Sequence, residues 1–319
     1  MLKVLVGAEP ISPQDRARMV HVFPQVDFTF AITPAEMRAA APDAEVIFAK
    51  GIPGDVLAAA VKLRWVQAGT AGVDGLIRLG IRERDVLLTN ARGAHGIPMA
   101  ENILTMALCF TTRMHLMIRG QRARGKIGRQ VIREKWELHG QTMLVLGLGD
   151  IGGTLALKAR ALGMRVLGVR RSGRPFEPCD VVYTLAQLPE ALPQADHVAL
   201  CLPLTEETRG IIGERELRLM KPTAHIYNVG RGAAIDGVAL RRALADGWIA
   251  GAGLDCVAPS DTPADDDPLW DMDNVMLSMH TSGSSPYNSQ RITDIFLENL
   301  ARFLDGRPLA NFVDQRLGY

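Results

Sequence analysis

The feature that most constrains the fold is a glycine-rich turn between a short apolar run and a helical segment. Met143–Leu146 is apolar, and glycines follow at 147, 149 and 152. In this spacing the first glycine permits a tight turn, the second lets a pyrophosphate approach the backbone, and the third lets the next helix pack on the sheet. A helix over 151–162 then offers free N–H groups to phosphates. Since a second apolar run, Arg165–Val169, closes a βαβ unit, the stretch predicts a dinucleotide site rather than a plain strand–turn–helix corner.

The bulk composition limits the class of protein. A chain of 319 residues with 47% apolar residues is too long for one ordinary domain, so two are expected. A net charge of +1 gives no indication of nucleic acid or a membrane surface as partner. The four cysteines lack CxxC spacing, which predicts reduced thiols and no metal site. Since no apolar run is long enough to span a bilayer and MLKVLVG resembles a strand rather than a signal peptide, we expect a cytoplasmic protein.

Short strand-like runs alternate with helical patterns, which is typical of parallel sheets covered by helices. Strands are predicted at Leu2–Val6, Glu45–Ala49, Trp65–Gln67, Val86–Thr89, His197–Leu202, His225–Val229, Ile249–Leu254 and Val275–Met279. Helices are predicted at Pro13–Val22, Thr33–Ala40, Asp55–Ala60, Asp236–Asp246, Ser289–Leu304 and, as one long helix, from Pro98 through Met117. The last helix is amphipathic, and we expect it to return to the first domain. The first domain is therefore predicted to be discontinuous, with residues 1–97 and 286–319 flanking a dinucleotide-binding domain at 98–285.

The order of motifs resembles the D-isomer-specific 2-hydroxyacid dehydrogenase family over nearly the whole chain. The NVGRG stretch, followed by Leu-Asp and then a histidine, is more specific than the glycine motif alone. The matching stretches are AGTAGVDG (Ala68–Gly75), MAENILTMAL (Met99–Leu108), GLGDIGG (Gly147–Gly153), LCLPLTEETRGII (Leu200–Ile212), MKPTAHIYNVGRGAAID (Met220–Asp236), GAGLD (Gly251–Asp255) and HTSGSS (His280–Ser285).

The resemblance implies an α/β fold with two doubly wound parallel-sheet domains. A Rossmann-type dinucleotide-binding domain is inserted into a flavodoxin-like substrate domain, and such proteins are usually homodimers. It also implies hydride transfer between a nicotinamide cofactor and a 2-keto or 2-hydroxy acid.

Three positions are expected to carry the chemistry. Arg231, in the loop after a buried strand, has a planar fork suited to hold a carboxylate and polarise the adjacent carbonyl. His280 matches the family's catalytic histidine, which donates a proton to the substrate oxygen.

The family's supporting glutamate is absent: counting from Asp255 reaches Ser260, whereas counting back from the Pro-Leu-Trp ending reaches Asp261. We favour Asp261; the alternatives are a histidine supported only by the Ser260 hydroxyl, and an acidic loop that is simply solvated. By the same resemblance, the backbone of Ala71 and Gly72 binds the substrate carboxylate; Lys50 is more simply a solvated lysine.

The residues at the end of the second strand of the βαβ unit predict which nicotinamide cofactor is preferred. NAD-dependent relatives have an acidic residue there, whereas this chain has Arg170, Arg171, Ser172 and Arg174. Guanidinium groups bind a 2′-phosphate with charge-assisted hydrogen bonds, so NADP(H) is predicted over NAD(H). The remaining cofactor-binding residues, carried over from the motifs, are Gly147, Gly149, Asp150, Ile151, Gly152, Leu202, Pro203, Val229, Asp255, Ser282 and Gly283.

These expectations combine into an NADPH-dependent reductase of a small 2-keto acid, with glyoxylate or hydroxypyruvate as the default substrate class. A reductase of a larger 2-keto acid, or of a sugar acid or a non-carbon acid, stays open. So does a dinucleotide-binding regulatory or scaffold protein with weak turnover, since the family glutamate is missing. The sequence does not decide the physiological direction.

Overall fold

The computed structural model describes residues 1–7 and 11–314, and the chain divides into two compact units. One unit comprises Met1–His95 with Ser285–Tyr319, and the other comprises Gly96–Ser284. Each unit has its own sheet, in which every strand ladder is parallel. The predicted fold class, α/β with two doubly wound parallel sheets, is confirmed. Among the described residues, no helix combines the length and apolar character needed to cross a membrane.

The first unit contains a five-stranded sheet. Its strands are β1 (Leu2–Gly7), β2 (Val26–Ala31), β3 (Val46–Ala49), β4 (Trp65–Ala68) and β5 (Leu87–Thr89). The spatial order β2-β1-β3-β4-β5 is the flavodoxin-like order. The sequence prediction omitted β2, which lies at the sheet edge and buries only its two end residues. Its interior therefore lacks the continuous apolar run that marks a central parallel strand.

Five α-helices of the same unit lie within the described residues. They are α1 (Pro13–Val22), α2 (Pro34–Ala40), α3 (Gly54–Ala59), α4 (Asp74–Arg78) and α12 (Asn288–Leu304). The terminal helix packs against the sheet, because the Phe296 ring stacks on Phe48 with centroids 4.3 Å apart. Asn299, fully buried, donates to the Gln67 side chain and the Ala310 carbonyl, each at 3.0 Å. These contacts attach the end of the chain to the strands formed by its beginning.

The second unit contains a seven-stranded sheet. Its strands are β6 (Thr142–Leu146), β7 (Arg165–Val169), β8 (Val181–Tyr183), β9 (His197–Leu200), β10 (His225–Asn228), β11 (Gly251–Leu254) and β12 (Val275–Leu277). The order is β12-β11-β10-β9-β6-β7-β8. The direction of winding reverses between β6 and β9, and ligands of such sheets bind beyond the carboxyl ends of the strands at this point. The sequence prediction missed β8, a three-residue edge strand without a buried residue.

The helices of the second unit correct one prediction. They are α5 (Gly96–Thr111), α6 (Met114–Arg122), α7 (Gly128–Val131), α8 (Asp150–Ala161), α9 (Leu188–Ala191), α10 (Glu214–Leu219) and α11 (Gly237–Ala245). The single helix predicted from Pro98 through Met117 is wrong, because Arg113 has a φ of 57° and separates α5 from α6. The hydroxyls of Thr111 and Thr112 both donate to the Leu108 carbonyl, which satisfies a backbone oxygen at the helix end.

Candidate active site

The glycine loop after β6 has the geometry that a dinucleotide phosphate requires. Gly147 has a φ of 93°, and a Cβ there would lie 2.8 Å from the Cys201 carbonyl oxygen. A Cβ on Gly152 would lie 1.8 Å from the Gly147 oxygen, so only glycine lets α8 approach the strand this closely. A Cβ on Gly149 would meet nothing within 4 Å, and no side chain caps α8. The backbone N–H groups at Asp150 and Ile151 therefore begin a helix with an open side, which fits a bound phosphate.

The loop after β7 collects positive charge. Arg170 follows the strand directly, and its N–H donates to the Tyr183 carbonyl at 3.0 Å. Arg171 forms an ion pair with Glu207 at 2.9 Å, which offsets part of its charge. Arg174 is exposed on the same turn. No carboxylate lies within the segment 170–174, so the loop can accept an anion.

The Arg231 loop is fixed by the side chain of Asn228, the last residue of β10. The Asn228 amide nitrogen donates to the carbonyl oxygens of Arg231 at 2.9 Å and Cys256 at 3.3 Å. Its amide oxygen accepts from the Gly230 N–H at 3.1 Å. Asn228 is fully buried, so these hydrogen bonds form away from water. Sequence reasoning missed this asparagine as an organising residue, although it opens the NVGRG stretch.

Asp261 is bonded to the same loop. Its carboxylate accepts a hydrogen bond from the Gly232 N–H at 2.8 Å, and its own φ is 65°. A Cβ on Gly232 would lie 2.2 Å from the Val257 backbone, so the two segments are tightly packed there. Ser260 turns its hydroxyl to the Thr262 carbonyl at 2.7 Å. Within the described residues no hydrogen bond joins Asp261 or Ser260 to His280.

His280 lies in a turn organised by Asp255, which is 2% exposed. The His280 N–H donates to the Asp255 carbonyl at 2.8 Å, and Asp255 in turn donates its N–H to the Asn228 carbonyl at 2.9 Å. The Asp255 carboxylate accepts from Thr281 N–H at 2.9 Å and Ser282 N–H at 3.1 Å, and from the hydroxyls of Ser278 and Ser282. The His280 side chain is exposed and its φ is 56°. Four donors of the chain thus surround the carboxylate predicted to face the nicotinamide.

Leu202 lies between the glycine loop and the Arg231 loop. A Cβ on Gly147 would be 3.0 Å from its side chain, and a Cβ on Gly230 would be 2.8 Å from its carbonyl oxygen. Pro203 is exposed, whereas Val229 is buried with its N–H on the Leu200 carbonyl. Gly283 follows the buried Ser282. The predicted cofactor residues of the second unit therefore lie in loops at the carboxyl edge of its sheet or, for Asp150, Ile151 and Gly152, in the first turn of α8.

In the first unit, the predicted carboxylate-binding turn follows β4. The Ala71 carbonyl accepts from the Asn90 side chain at 2.9 Å, and the Gly72 carbonyl accepts from the Thr70 hydroxyl at 2.7 Å. The backbone of Lys50 lies beside the start of this turn, because a Cβ on Gly69 would be 3.1 Å from the Lys50 backbone nitrogen. Asn90, which sequence reasoning did not identify, fixes this turn through its hydrogen bond to the Ala71 carbonyl.

The cysteines near the site are unsuited to nucleophilic chemistry. Burial raises the pKa of Cys201 and of Cys256 to about 12, so both are thiols at neutral pH. In residues 1–7 and 11–314 no group of three or more His, Cys, Asp or Glu is arranged to hold a metal ion. The described loops contribute the Arg231 guanidinium, the His280 imidazole and backbone donors.

The chain is similar to known proteins over most of its length. Residues 104–282 match the family model of the D-isomer specific 2-hydroxyacid dehydrogenase NAD binding domain. A glyoxylate reductase of Korarchaeum cryptofilum is 34% identical over 281 residues, which cover 83% of this chain and 80% of that protein.

Two solved structures extend the likeness to both units. A D-isomer specific 2-hydroxyacid dehydrogenase family protein of Aeromonas salmonicida superposes with a TM-score of 0.88 at 32% identity, covering 98% of this chain and 99% of that one. A family member from Xanthobacter autotrophicus, solved with NADPH and MES, has a TM-score of 0.81 at 27% identity, covering 100% and 99%. The chain belongs to the D-isomer-specific 2-hydroxyacid dehydrogenase family, whose members are NAD(P)-dependent oxidoreductases.

The two glycines of the loop should respond differently to an added methyl group. We predict that Gly149→Ala leaves the melting temperature unchanged but weakens dinucleotide binding at least about tenfold, because the methyl enters the open side of the loop. Gly152→Ala should destabilise the protein by about 2 kcal/mol, because its methyl overlaps backbone. Thermal melts and fluorescence titration with NADH and NADPH measure both effects. Gly128→Ala, where a Cβ also meets nothing within 4 Å, is the control. Equal loss of stability in the two loop variants would contradict the assignment.

Proposed function

We propose that this protein reduces a small 2-keto acid of the glyoxylate or hydroxypyruvate class to the D-2-hydroxy acid, with NADPH as reductant. The observation that carries the proposal is the hydrogen-bonded path through Asn228 and Asp255. It runs from the Arg231 loop to the His280 turn, so one framework holds a carboxylate-binding cation and a proton donor. The similarity to glyoxylate reductases supports the substrate class.

In this proposal Arg231 binds the substrate. Its guanidinium holds the carboxylate in a bidentate pair and polarises the neighbouring carbonyl, where negative charge develops during reduction. The family resemblance also assigns carboxylate binding to the N–H groups of Ala71 and Gly72 in the first unit. Their turn is suited to this role because Asn90 and Thr70 engage its carbonyl oxygens and thereby fix the backbone.

His280 completes the reaction at the substrate oxygen. As an imidazolium it donates a proton to the oxygen of the former carbonyl, and the neutral imidazole takes that proton back in the oxidative direction. The nicotinamide cofactor, when bound, supplies the hydride. Asp255 keeps the imidazole at the carboxyl edge by fixing the backbone of His280 and of the two residues that follow it.

The loops after β6 and β7 are proposed to hold the cofactor. Gly147, Gly149 and Gly152 and the start of α8 receive the pyrophosphate, whereas Arg170 and Arg174 bind the 2′-phosphate of NADPH. Arg171 contributes less, since Glu207 already pairs with it. The Xanthobacter family member was solved with NADPH, which supports this preference. A homodimer and a cytoplasmic location stay predictions.

Asp261 is proposed to act as a positioning residue. Its carboxylate binds the N–H of Gly232, the residue after Arg231, and this bond limits where the guanidinium can move. The family's glutamate supports the histidine instead, so this chain differs in how it uses the acidic residue of the loop. The Ser260 hydroxyl already donates a hydrogen bond to the Thr262 carbonyl. Asp261 is therefore the better candidate of the two for the acidic residue of the site.

The activity is tested by following absorbance of NADPH and NADH with glyoxylate, hydroxypyruvate and phenylpyruvate. We expect NADPH oxidation that depends on the keto acid and is fastest with glyoxylate or hydroxypyruvate.

His280→Asn should lower kcat about 10²- to 10⁴-fold, because the proton donor is lost. His21→Asn, an exposed histidine of α1, is the matched control. Tight NADPH binding without turnover on any acid would support a regulatory dinucleotide-binding protein instead.

The cofactor preference is tested at the β7 loop. Arg170→Ala should raise the KM for NADPH at least about tenfold and change that for NADH little, because only NADPH carries the 2′-phosphate. Arg171→Ala should have a smaller effect. Arg165→Ala is the control, since Arg165 is exposed at the other end of the same strand. Equal losses for NADPH and NADH would exclude a phosphate-binding role.

A further inference from the structure

Asp150 is the first residue of α8, in the turn assigned to the pyrophosphate of the cofactor. Its backbone N–H is one of the groups proposed to bind that phosphate, whereas its side chain is a carboxylate. A single residue thus brings a hydrogen-bond donor and a negative charge to the glycine loop. Like charges at short range repel each other, so the position of the carboxylate and its partners decide what it does to a bound phosphate.

The Asp150 carboxylate lies against Gly96, the first residue of α5. A Cβ on Gly96 would be 2.6 Å from Asp150 Oδ1 and 2.7 Å from both Cγ and Oδ2. The carboxylate therefore fills the space that a side chain at position 96 would need. No aspartate or glutamate lies in the first turn of α5 itself. The carboxylate is thus next to the amino ends of both α5 and α8, where each helix carries partial positive charge.

No cation neutralises this carboxylate within residues 1–7 and 11–314. Its oxygens form no ion pair and accept no hydrogen bond there, and the Thr154 hydroxyl donates to the Asp150 backbone carbonyl instead, at 2.8 Å. Glu101, further along the same two helices, differs because Lys158 pairs with it at 3.0 Å. Asp150 therefore adds a negative charge to the phosphate loop that only the partial charges of the helix ends offset among the described residues.

A bound pyrophosphate would use the same end of α8. No side chain caps this helix, and a Cβ on Gly149 would meet nothing within 4 Å, so the loop is open to a phosphate. Phosphate and carboxylate would then share the N–H groups and the dipole of one helix end. In the free protein the Asp150 carboxylate is stabilised by that helix end. In the complex it lies close to a second group of the same sign, so its charge favours the free protein.

We propose that Asp150 determines how tightly the dinucleotide is held, because its carboxylate repels the pyrophosphate. The proposal rests on the proposed placement of the pyrophosphate in the glycine loop. NADPH and NADH have the same pyrophosphate, so the carboxylate weakens the binding of both equally. Since affinity differences among variants of one site lie mainly in the dissociation rate, the carboxylate speeds release of the cofactor. The arginines after β7 then select the dinucleotide, and Asp150 sets its affinity.

Fluorescence titration of the full chain with NADPH and NADH, without keto acid, tests the proposal. Asp150→Asn keeps the shape of the side chain and removes its charge, so it should bind both dinucleotides about three- to tenfold more tightly than wild type. Asp150→Glu, which keeps the charge, should bind neither more tightly. Glu190→Gln, which removes an exposed carboxylate from the first turn of α9, is the matched control and should leave both affinities unchanged.

The salt dependence separates an electrostatic role from a structural one. The advantage of Asp150→Asn should shrink at about 0.5 M NaCl, because salt screens the repulsion that the substitution removes. Binding no tighter than that of wild type at low salt would overturn the proposal, and so would a gain that salt does not reduce. A gain confined to NADPH would also overturn it, because the carboxylate would then act on the 2′-phosphate.

The outcome does not depend on turnover, because every titration omits the keto acid. An absence of keto acid reduction would count against the proposed reaction and leave this test intact, whereas a wild-type protein that binds neither dinucleotide would overturn both. Melting curves establish that each variant is folded. If Asp150→Asn is unstable, Asp150→Ala is the second test, since alanine also lacks the charge and is the best helix former.

Discussion

The site depends most on two buried polar side chains at the carboxyl edge of the second sheet, the amide of Asn228 and the carboxylate of Asp255. Both are almost inaccessible to water, at 0% and 2% exposure. Burying such groups is unfavourable unless each polar atom has a partner. Here the partners are the backbones of the Arg231 loop and the His280 turn, so satisfying the buried atoms fixes both loops. The side chains of Arg231 and His280, which are proposed to meet the substrate, thereby extend from loops whose backbone is fixed.

The two edges of the parallel sheet differ in their side chains. At the carboxyl edge, loops are anchored by buried hydrogen bonds and present glycines, arginines and a histidine outward. At the amino edge, two histidines begin neighbouring strands and are buried among aromatic rings, with His225 4.4 Å from Phe110. Burial lowers the pKa of His197 to about 4 and that of His225 to about 3, so both rings are neutral near pH 7. These two residues therefore do not supply a charged imidazole near neutral pH, and the proposed function assigns the proton-donor role to His280 instead.

Much of the architecture follows from sequence, because buried parallel strands appear as short apolar runs and the glycine spacing has a specific geometric cause. β2 and β8 were missed since edge strands need not be apolar, and the interruption at Arg113 was missed since the apolar periodicity continues across it. Arg231 and His280 were identified through motif resemblance. The engagement of Asn228 and the bond from Asp261 to Gly232 were not predictable, since both depend on side chains meeting backbone groups distant in sequence.

Asp261 is bonded to the Arg231 loop, and we propose that it acts there rather than on His280. The pH dependence of kcat/KM distinguishes these two roles. For Asp261→Ala we expect the KM for the keto acid to rise about tenfold, as for loss of one charge-assisted hydrogen bond, with the pH profile unchanged. Asp261→Asn, which keeps an oxygen for the Gly232 N–H, should stay near wild type. If both variants lose activity equally and the pH profile shifts, the carboxylate acts on His280 and the central claim is wrong.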